Sequence, residues 1–505
     1  LKFWLGAPPL CAVSCMAELR ATRPPAVRPG RCLGRGSLNC CLWGCLLVLL
    51  QRACLPLTWL QPGGLALHRP GGLRRGWRSS TALAAAEGTI REEKGSWPAL
   101  YKWAEDTGMD MTDIAIEVAP VDLAPGELGL LAKAPIAAGD VLAWAPSSLL
   151  LTKGKAVAAF GDAVSELPDR IALALLLIHE QYVKDTSLWS IYLSMLPSFA
   201  GDVSGPSFLW TEEEWEWLEG SDCRGASEAM RTTVLNEYEA LAPQVTEALA
   251  EAFPPRVLTV ERYLWAQAVV ASRAYGDDEE GQNLAIAPLV DFLNHRAGAL
   301  QLTRFSNGIV AHAHQSYSAG DQVFVSYGGK NNAQLLSQYG FIDEGNQNEA
   351  VYLRMGSHLK LAAPQLEAKR RLLEELLGDY RDPGDAILRV AIKPREWQAE
   401  LIPVARILAL SDEDTMPESV RDLRAPQPSR HEAAAWDLLA EAMELRSEEY
   451  PTPLEETKRL IEGELSERQL LAVRLRQSEQ ELLQLARSYV IGQRDIALEN
   501  PAELD

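Results

Sequence analysis

Apolar positions along this chain change period several times, and each change marks a different part of it. Residues 97–107 (WPALYKWAEDT) read as a short helix with aromatic anchors, and 114–121 (IAIEVAPV) alternate as a strand does. After a Pro125-Gly126-Glu127 turn, residues 128–146 predict two strands joined at 136–140 (IAAGD). From 154 to 275 the pattern becomes helical. Residues 168–184 start with proline in the first turn and are apolar along much of their length. Residues 187–197 follow, then a tryptophan-rich acidic segment at 208–221 and an amphipathic helix at 226–245. Thr259 is placed to cap a helix over 260–275, with Glu261 in its first turn. Two strand-like runs, 309–314 and 322–327, then flank a Ser-Ala-Gly-Asp turn at 318–321. Beyond Phe341 come a loop at 345–349 and a strand over 351–361. Helices are predicted at 364–377, 394–408, 431–446 and 466–490, punctuated at 426–430 and 450–453.

Composition divides the chain further. Its 505 residues, 47% hydrophobic and 23% charged, suit two globular domains behind a leader. The net charge of −21 is uneven: residues 1–86 carry eleven Lys/Arg and one acid, hence +10, so the remainder carries −31. A body this acidic argues against a nucleic-acid-binding surface, which needs clustered Lys/Arg, and favours a protein partner. Seven of the eight cysteines also fall in residues 1–86, leaving Cys223 in the body with neither a disulfide nor a cysteine-rich zinc site. Read from Met16, the leader has a basic segment and then a ten-residue apolar run at 41–50, short for a bilayer span of about 20 residues. Arginines, Ser79, Ser80, Thr81 and a mostly small-residue stretch follow, which is transit-peptide composition. Signal-like then transit-like sequence resembles the bipartite leaders of plastids with extra membranes. A plastid location is therefore expected, with no stable membrane association after processing; a membrane anchor or translated upstream sequence are the other readings of the leader, and a cytoplasmic location the alternative to the plastid.

The chemistry is concentrated in residues 288–341. PLVDFLNH supplies Asp291, Asn294 and His295; Tyr327 closes the strand QVFVSY, and QYGF supplies Tyr339 and Phe341. Asp and His are metal ligands too, but a metal needs third and fourth ligands, and the body has a single cysteine, Cys223; no metal is expected. Taken together, DxxNH, SYG and a YGF about a dozen residues later resemble the SET-domain methyltransferases, and among them the Rubisco large-subunit lysine methyltransferase branch. Three other stretches carry the same resemblance. Glu127, Leu128, Gly129 and Leu130 look like the Gly-x-Gly-Leu type opening of the domain. Trp189, Tyr192, Leu193, Leu196 and Pro197 resemble the branch's helical insertion, and YPTPLEET before a long charged helix resembles its C-terminal domain.

That resemblance implies an α+β protein: a β-rich SET domain with a pseudoknot over 97–345, helices inserted at about 154–275, and an all-α substrate-binding domain over 346–505. It implies S-adenosyl-L-methionine held by Glu127, Leu128, Gly129, Leu130, Arg273, Asn294, His295, Tyr339 and Phe341. Tyr327 is the implied catalytic residue, and Arg273, Asp291 and Tyr327 the implied substrate contacts. The aromatics of the insertion are expected to be core, as is His179. A lysine nucleophile has a reference pKa near 10.4, so at neutral pH only about one in a thousand is unprotonated. A dry channel that brings the pKa to roughly 7–8 supplies about 3–4 kcal/mol of bias. The expected partner is a protein presenting a lysine, and the chain is expected to act as a monomer. In the resembling branch, plastid members methylate Rubisco large subunit or fructose-bisphosphate aldolase. A sister group methylates a histidine of actin; it carries Trp before the Asp of DxxNH and no Tyr before the final GF. Val290 and Tyr339 side with lysine. A non-catalytic adaptor with the same fold is the alternative from another class.

Overall fold

The structure is a computed structural model that describes residues 97–109, 116–120, 128–199, 205–276, 283–355, 363–378, 387–391, 399–411 and 414–499. The expected leader, residues 1–86, and Glu127 lie outside them. Helix α1 (Trp97–Asp106) precedes strands β1 (Ile116–Pro120), β2 (Leu128–Ala132), β3 (Val141–Pro146) and β4 (Leu151–Thr152). β1 and β2 are antiparallel, with Val118 opposite Leu130. The turn between β2 and β3 closes on itself, Asp140 Oδ2 accepting from the Ala137 amide at 2.9 Å. Its counterpart at 318–321 closes in the same way through Asp321 on the Ser318 amide, 2.7 Å. Reciprocal backbone bonds between Ile136 and Tyr317 lay the two turns side by side.

The helical insertion begins where Thr152 caps α2 (Lys153–Phe160). Helix α3 (Asp169–Val183) is buried from Arg170 to Ile178, as its all-round apolar sequence requires. α4 (Ser190–Met195), α5 (Glu212–Glu216), α6 (Asp222–Ala248) and α7 (Val260–Arg273) follow. Each of the last three has a side-chain cap, from Thr211, Ser221 and Thr259. The cap at Ser221 starts α6 earlier than the apolar spacing predicts, and the helix runs through Pro243 to Ala248. A buried ion pair, Arg170 with Glu237, ties α3 to α6. His179, expected in the core, is half-buried, its Nδ1 lying 3.2 Å from the Ala252 carbonyl and its ring against Phe160 and Phe253.

The chain then returns to short strands: β5 (Ala274–Tyr275), β6 (Ala285–Ile286), β7 (Asn294–His295), β8 (Thr303–Phe305), β9 (Gly308–His312) and β10 (Gln322–Val325). They complete three small sheets, ordered β1-β2-β10-β7, β3-β9-β8 and β4-β6-β5. β10 pairs antiparallel with β2 and parallel with β7, so residues far apart in sequence share one sheet.

Helix α8 (Asn332–Tyr339) leads to the C-terminal part: β11 (Ala350–Arg354), α9 (Ala363–Leu377), β12 (Ile387–Ala391), α10 (Leu401–Ala409), α11 (Ser429–Glu448), α12 (Leu454–Ile461) and α13 (Glu467–Glu499). Among the described residues this part is helical, as expected, apart from an antiparallel ribbon that sets Tyr352 opposite Arg389 in register. The ribbon corrects the all-α expectation in that one place; five residues, ILRVA, are too few to separate strand from helix by period. The helix expected over 394–408 is described only from Leu401. Leu372, Val404, Ile407, Leu439, Met443 and Leu483 form its core, each worth about 1.5–3 kcal/mol when fully buried. A second apolar cluster sets Ala472 and Leu475 of α13 against Trp210, Trp215 and Leu336.

Candidate active site

The parallel pairing of β7 with β10 sets Asn294 opposite Phe324 and His295 opposite Val325, two residues before Tyr327. The Asn294 side-chain amide donates to the Leu128 carbonyl, 3.1 Å, which fastens this segment to β2. The Tyr327 amide donates to Nδ1 of His295, 3.0 Å, and its hydroxyl to the Leu293 carbonyl, 2.8 Å. With Nδ1 accepting, a neutral imidazole carries its proton on Nε2. Burial depresses the His295 pKa and so keeps the ring neutral; Asp343 opposes this and Lys330 adds to it.

Around Tyr327 stand three further rings. Tyr339 stacks on it at 4.8 Å between centroids and 25° between planes. Phe341 meets it edge-on at 6.3 Å, and His295 lies 5.2 Å away. Helix α8 delivers Tyr339 on its last residue, and Gly340 caps that helix in the left-handed region, φ +88°. Glycine is also demanded sterically, because a Cβ here would lie 2.6 Å from Cα of Gly205. Burial pushes the Tyr339 phenol well above its ordinary range, with Tyr327 adding to the rise, so it stays protonated.

A second cluster flanks the first. Asp291 sits in the tight turn Val290–Phe292, entered through Leu289 at φ +72° and ψ −46°, a conformation costing a non-glycine residue about 1–3 kcal/mol. Its Oδ2 accepts from Arg273 Nη1 at 3.0 Å and from the Tyr192 hydroxyl at 2.7 Å. Arg273 Nη1 also reaches the Asp291 carbonyl, 3.2 Å. Burial raises the Asp291 carboxyl from its usual range, and Arg273 and Tyr192 hold it back. For Arg273 burial works against the charge, but Asp291 and the neighbouring tyrosines Tyr192 and Tyr327 more than offset it. Three polar atoms in these clusters are buried without a hydrogen-bond partner among the described residues: Asp291 Oδ1, Arg273 Nε and His295 Nε2.

Asn294, His295, Tyr327, Tyr339 and Phe341 are thus brought together, with Arg273 and Asp291 beside them. Leu128 enters through its carbonyl. Gly129 and Leu130 are buried in β2, opposite Ala119 and Val118, and Leu130 also pairs with Val323. Tyr192 is fully buried, as expected for core, yet its hydroxyl reaches Asp291. Sequence reasoning missed that second role. A tyrosine rather than phenylalanine at a wholly apolar helix position was the available signal, since a buried phenol needs a partner.

Residues 360–483 match the Rubisco LSMT substrate-binding family. Over 426 residues the chain is 26% identical to the chloroplastic ribulose-1,5 bisphosphate carboxylase/oxygenase large subunit N-methyltransferase of Pisum sativum, covering 80% of this chain and 84% of that protein. The chloroplastic [fructose-bisphosphate aldolase]-lysine N-methyltransferase of Arabidopsis thaliana is 25% identical over 405 residues, 76% of this chain and 80% of the relative. Actin-histidine N-methyltransferase of Rattus norvegicus is 24% identical over 423 residues, 77% and 67% respectively. The fold matches the structure of Rubisco LSMT bound to sinefungin and monomethyllysine with a TM-score of 0.65 at 24% identity, over 81% of this chain and 93% of that one. The chain therefore has the fold of the Rubisco LSMT structures, and the segment that follows its β-rich part matches the substrate-binding family.

Proposed function

We propose that this chain is an S-adenosylmethionine-dependent protein-lysine N-methyltransferase. In this reading residues 97–345 form the catalytic domain and 346–505 bind the protein substrate. The observation that carries it is the Tyr327 hydroxyl, whose proton is committed to the Leu293 carbonyl inside a wall of three rings. Toward a ligand that oxygen acts as an acceptor, suited to aligning an amine and not to removing its proton. The residues present fit the cofactor. Arg273 Nε and the Nε2–H of His295, donors without a partner among the described residues, suit its carboxylate, while Asp291 Oδ1, an acceptor likewise without one, suits the N–H of the substrate amine. S-adenosylmethionine, when bound, supplies the activated methyl group.

The chain's own residues then have three tasks. Asn294, His295 and Arg273, with the backbone at Leu128, hold the amino-acid end of the cofactor. Tyr339 and Phe341 exclude water from the channel, which disfavours the ammonium form of a lysine. Tyr327 accepts from the neutral amine and aligns it, and alignment of this kind is worth several kcal/mol. The substrate is proposed to be a plastid protein. The leader composition and the two chloroplastic relatives support that location; the relatives' named substrates, Rubisco large subunit and fructose-bisphosphate aldolase, are the first to test.

The test incubates the protein with labelled S-adenosylmethionine and a plastid-stroma extract, and locates the label by peptide mass. Label on a lysine is the expected result. Label on histidine would move the chain to the actin-histidine type of reaction, and cofactor binding without labelled protein would make it an adaptor.

A further inference from the structure

The helical insertion contributes a side chain to the site. Tyr192, on α4, has no exposed surface; its ring stacks on Trp103 at 6.5 Å and meets Phe292 edge-on at 6.3 Å. Its hydroxyl and Arg273 Nη1 both donate to the same carboxylate oxygen, Asp291 Oδ2. A carboxylate held by one donor can turn either oxygen outward. Two donors converging on Oδ2 from two different helices, α4 and α7, occupy its lone pairs and stop that rotation. Oδ1 is left buried and unpartnered, on a side chain only 3% exposed. An acceptor in that state is unfavourable unless a ligand supplies the missing donor.

We propose that Tyr192 is a positioning residue: it locks the Asp291 carboxylate so that Oδ1 is presented to the N–H of the substrate amine. The inference rests on the reading of Asp291 as a substrate contact. It gives the insertion a part in recognition beyond packing, and it explains a phenol where phenylalanine would fill the same space.

Tyr192→Phe keeps the ring and removes the bond. The groups facing Asp291 are Tyr192 and Arg273, with Tyr327 facing Arg273 in turn. Because the Tyr192 bond favours the ionised carboxyl, its loss raises the Asp291 pKa, and the acid limb of kcat/KM moves to higher pH. The variant is expected to raise KM for the protein substrate about tenfold or more, with kcat changed less than about threefold and cofactor affinity unchanged. A second readout needs no turnover. The infrared carboxylate band of Asp291, identified by its disappearance in Asp291→Asn, should shift in Tyr192→Phe and titrate at higher pH. An unmoved band and titration overturn the proposal. A shifted band with unaltered KM and pH profile also overturns it, by reducing the bond to a structural one. If Asp291→Asn itself leaves KM unchanged, the reading of Asp291 fails and the positioning role with it, whereas an effect of Asp291→Asn without one of Tyr192→Phe rejects Tyr192 alone.

Discussion

Tyr327 sends its hydroxyl proton to the Leu293 carbonyl and its amide proton to His295, so backbone and side chain are both fixed before any ligand arrives. Preorganisation of this kind is what makes one positioned group worth about 3 kcal/mol in a transition state. Tyr327→Phe removes the oxygen but keeps the stack on Tyr339. Turnover should fall roughly a hundredfold while cofactor affinity by calorimetry is retained; full activity in the variant would remove Tyr327 from the mechanism. At this scale most of the site was legible. Asn294, His295, Tyr327, Tyr339 and Phe341 stand in short motifs, because each motif's backbone geometry is local. Tyr192 was not legible as a partner of Asp291, for the two lie 99 residues apart and no local pattern links them.

Helix α8 shows how an element carries the site. Asn331 caps its start and reciprocates with Gln334, while Asn332 bonds the carboxylate of Glu349. At its other end Gly340 stops the helix in a left-handed turn against Gly205, between the rings of Tyr339 and Phe341. Gly340→Ala meets two penalties, the left-handed conformation and the overlap with the Gly205 backbone, together about 2–5 kcal/mol. The urea midpoint should fall accordingly with an unchanged slope, and turnover should fall as Tyr339 and Phe341 are displaced. A midpoint equal to that of the parent protein would show that the backbone there yields at no cost. Boundaries were the weaker part of the sequence reading at this scale. Side-chain caps set the start of α6, and its apolar spacing did not reveal them.

Across the whole molecule, α13 binds the C-terminal part to the insertion and to α8. Glu479 is buried at this junction, accepting from Ser221 at 2.8 Å and from Tyr450 at 2.9 Å. Ser478 donates to Glu349 at 2.7 Å, and Arg446 donates to the Gly220 carbonyl at 2.6 Å. Gly220 allows that approach, since a Cβ there would lie 2.6 Å from the Tyr450 Cα. Burial pushes the Glu479 carboxyl up to about 8; Asp222 and Glu349 add to the rise, and Arg446 and Ser221 oppose it. The folded protein therefore keeps a proton that the unfolded chain, titrating near 4.5, releases. Stability should fall as pH rises from about 4.5 to about 8, by up to about 1.4 kcal/mol per pH unit, and level off above. Urea melts from pH 5 to 9 measure this, and Glu479→Gln should flatten the slope. An equal slope in the variant would assign the pH dependence to other groups.

By itself the sequence determined the alternation of strand and helix, the order of the parts, and the motif residues around Tyr327. All of these follow from side-chain period, turn chemistry and local backbone geometry. Only the tertiary structure decided which distant segments complete the site and the junction. The β7–β10 pairing, the Tyr192 bond to Asp291 and the hold of Ser221 on Glu479 join positions 30 to 258 residues apart. Such contacts are selected by the packing of whole surfaces, in which a buried polar group must find its partner wherever the fold brings one.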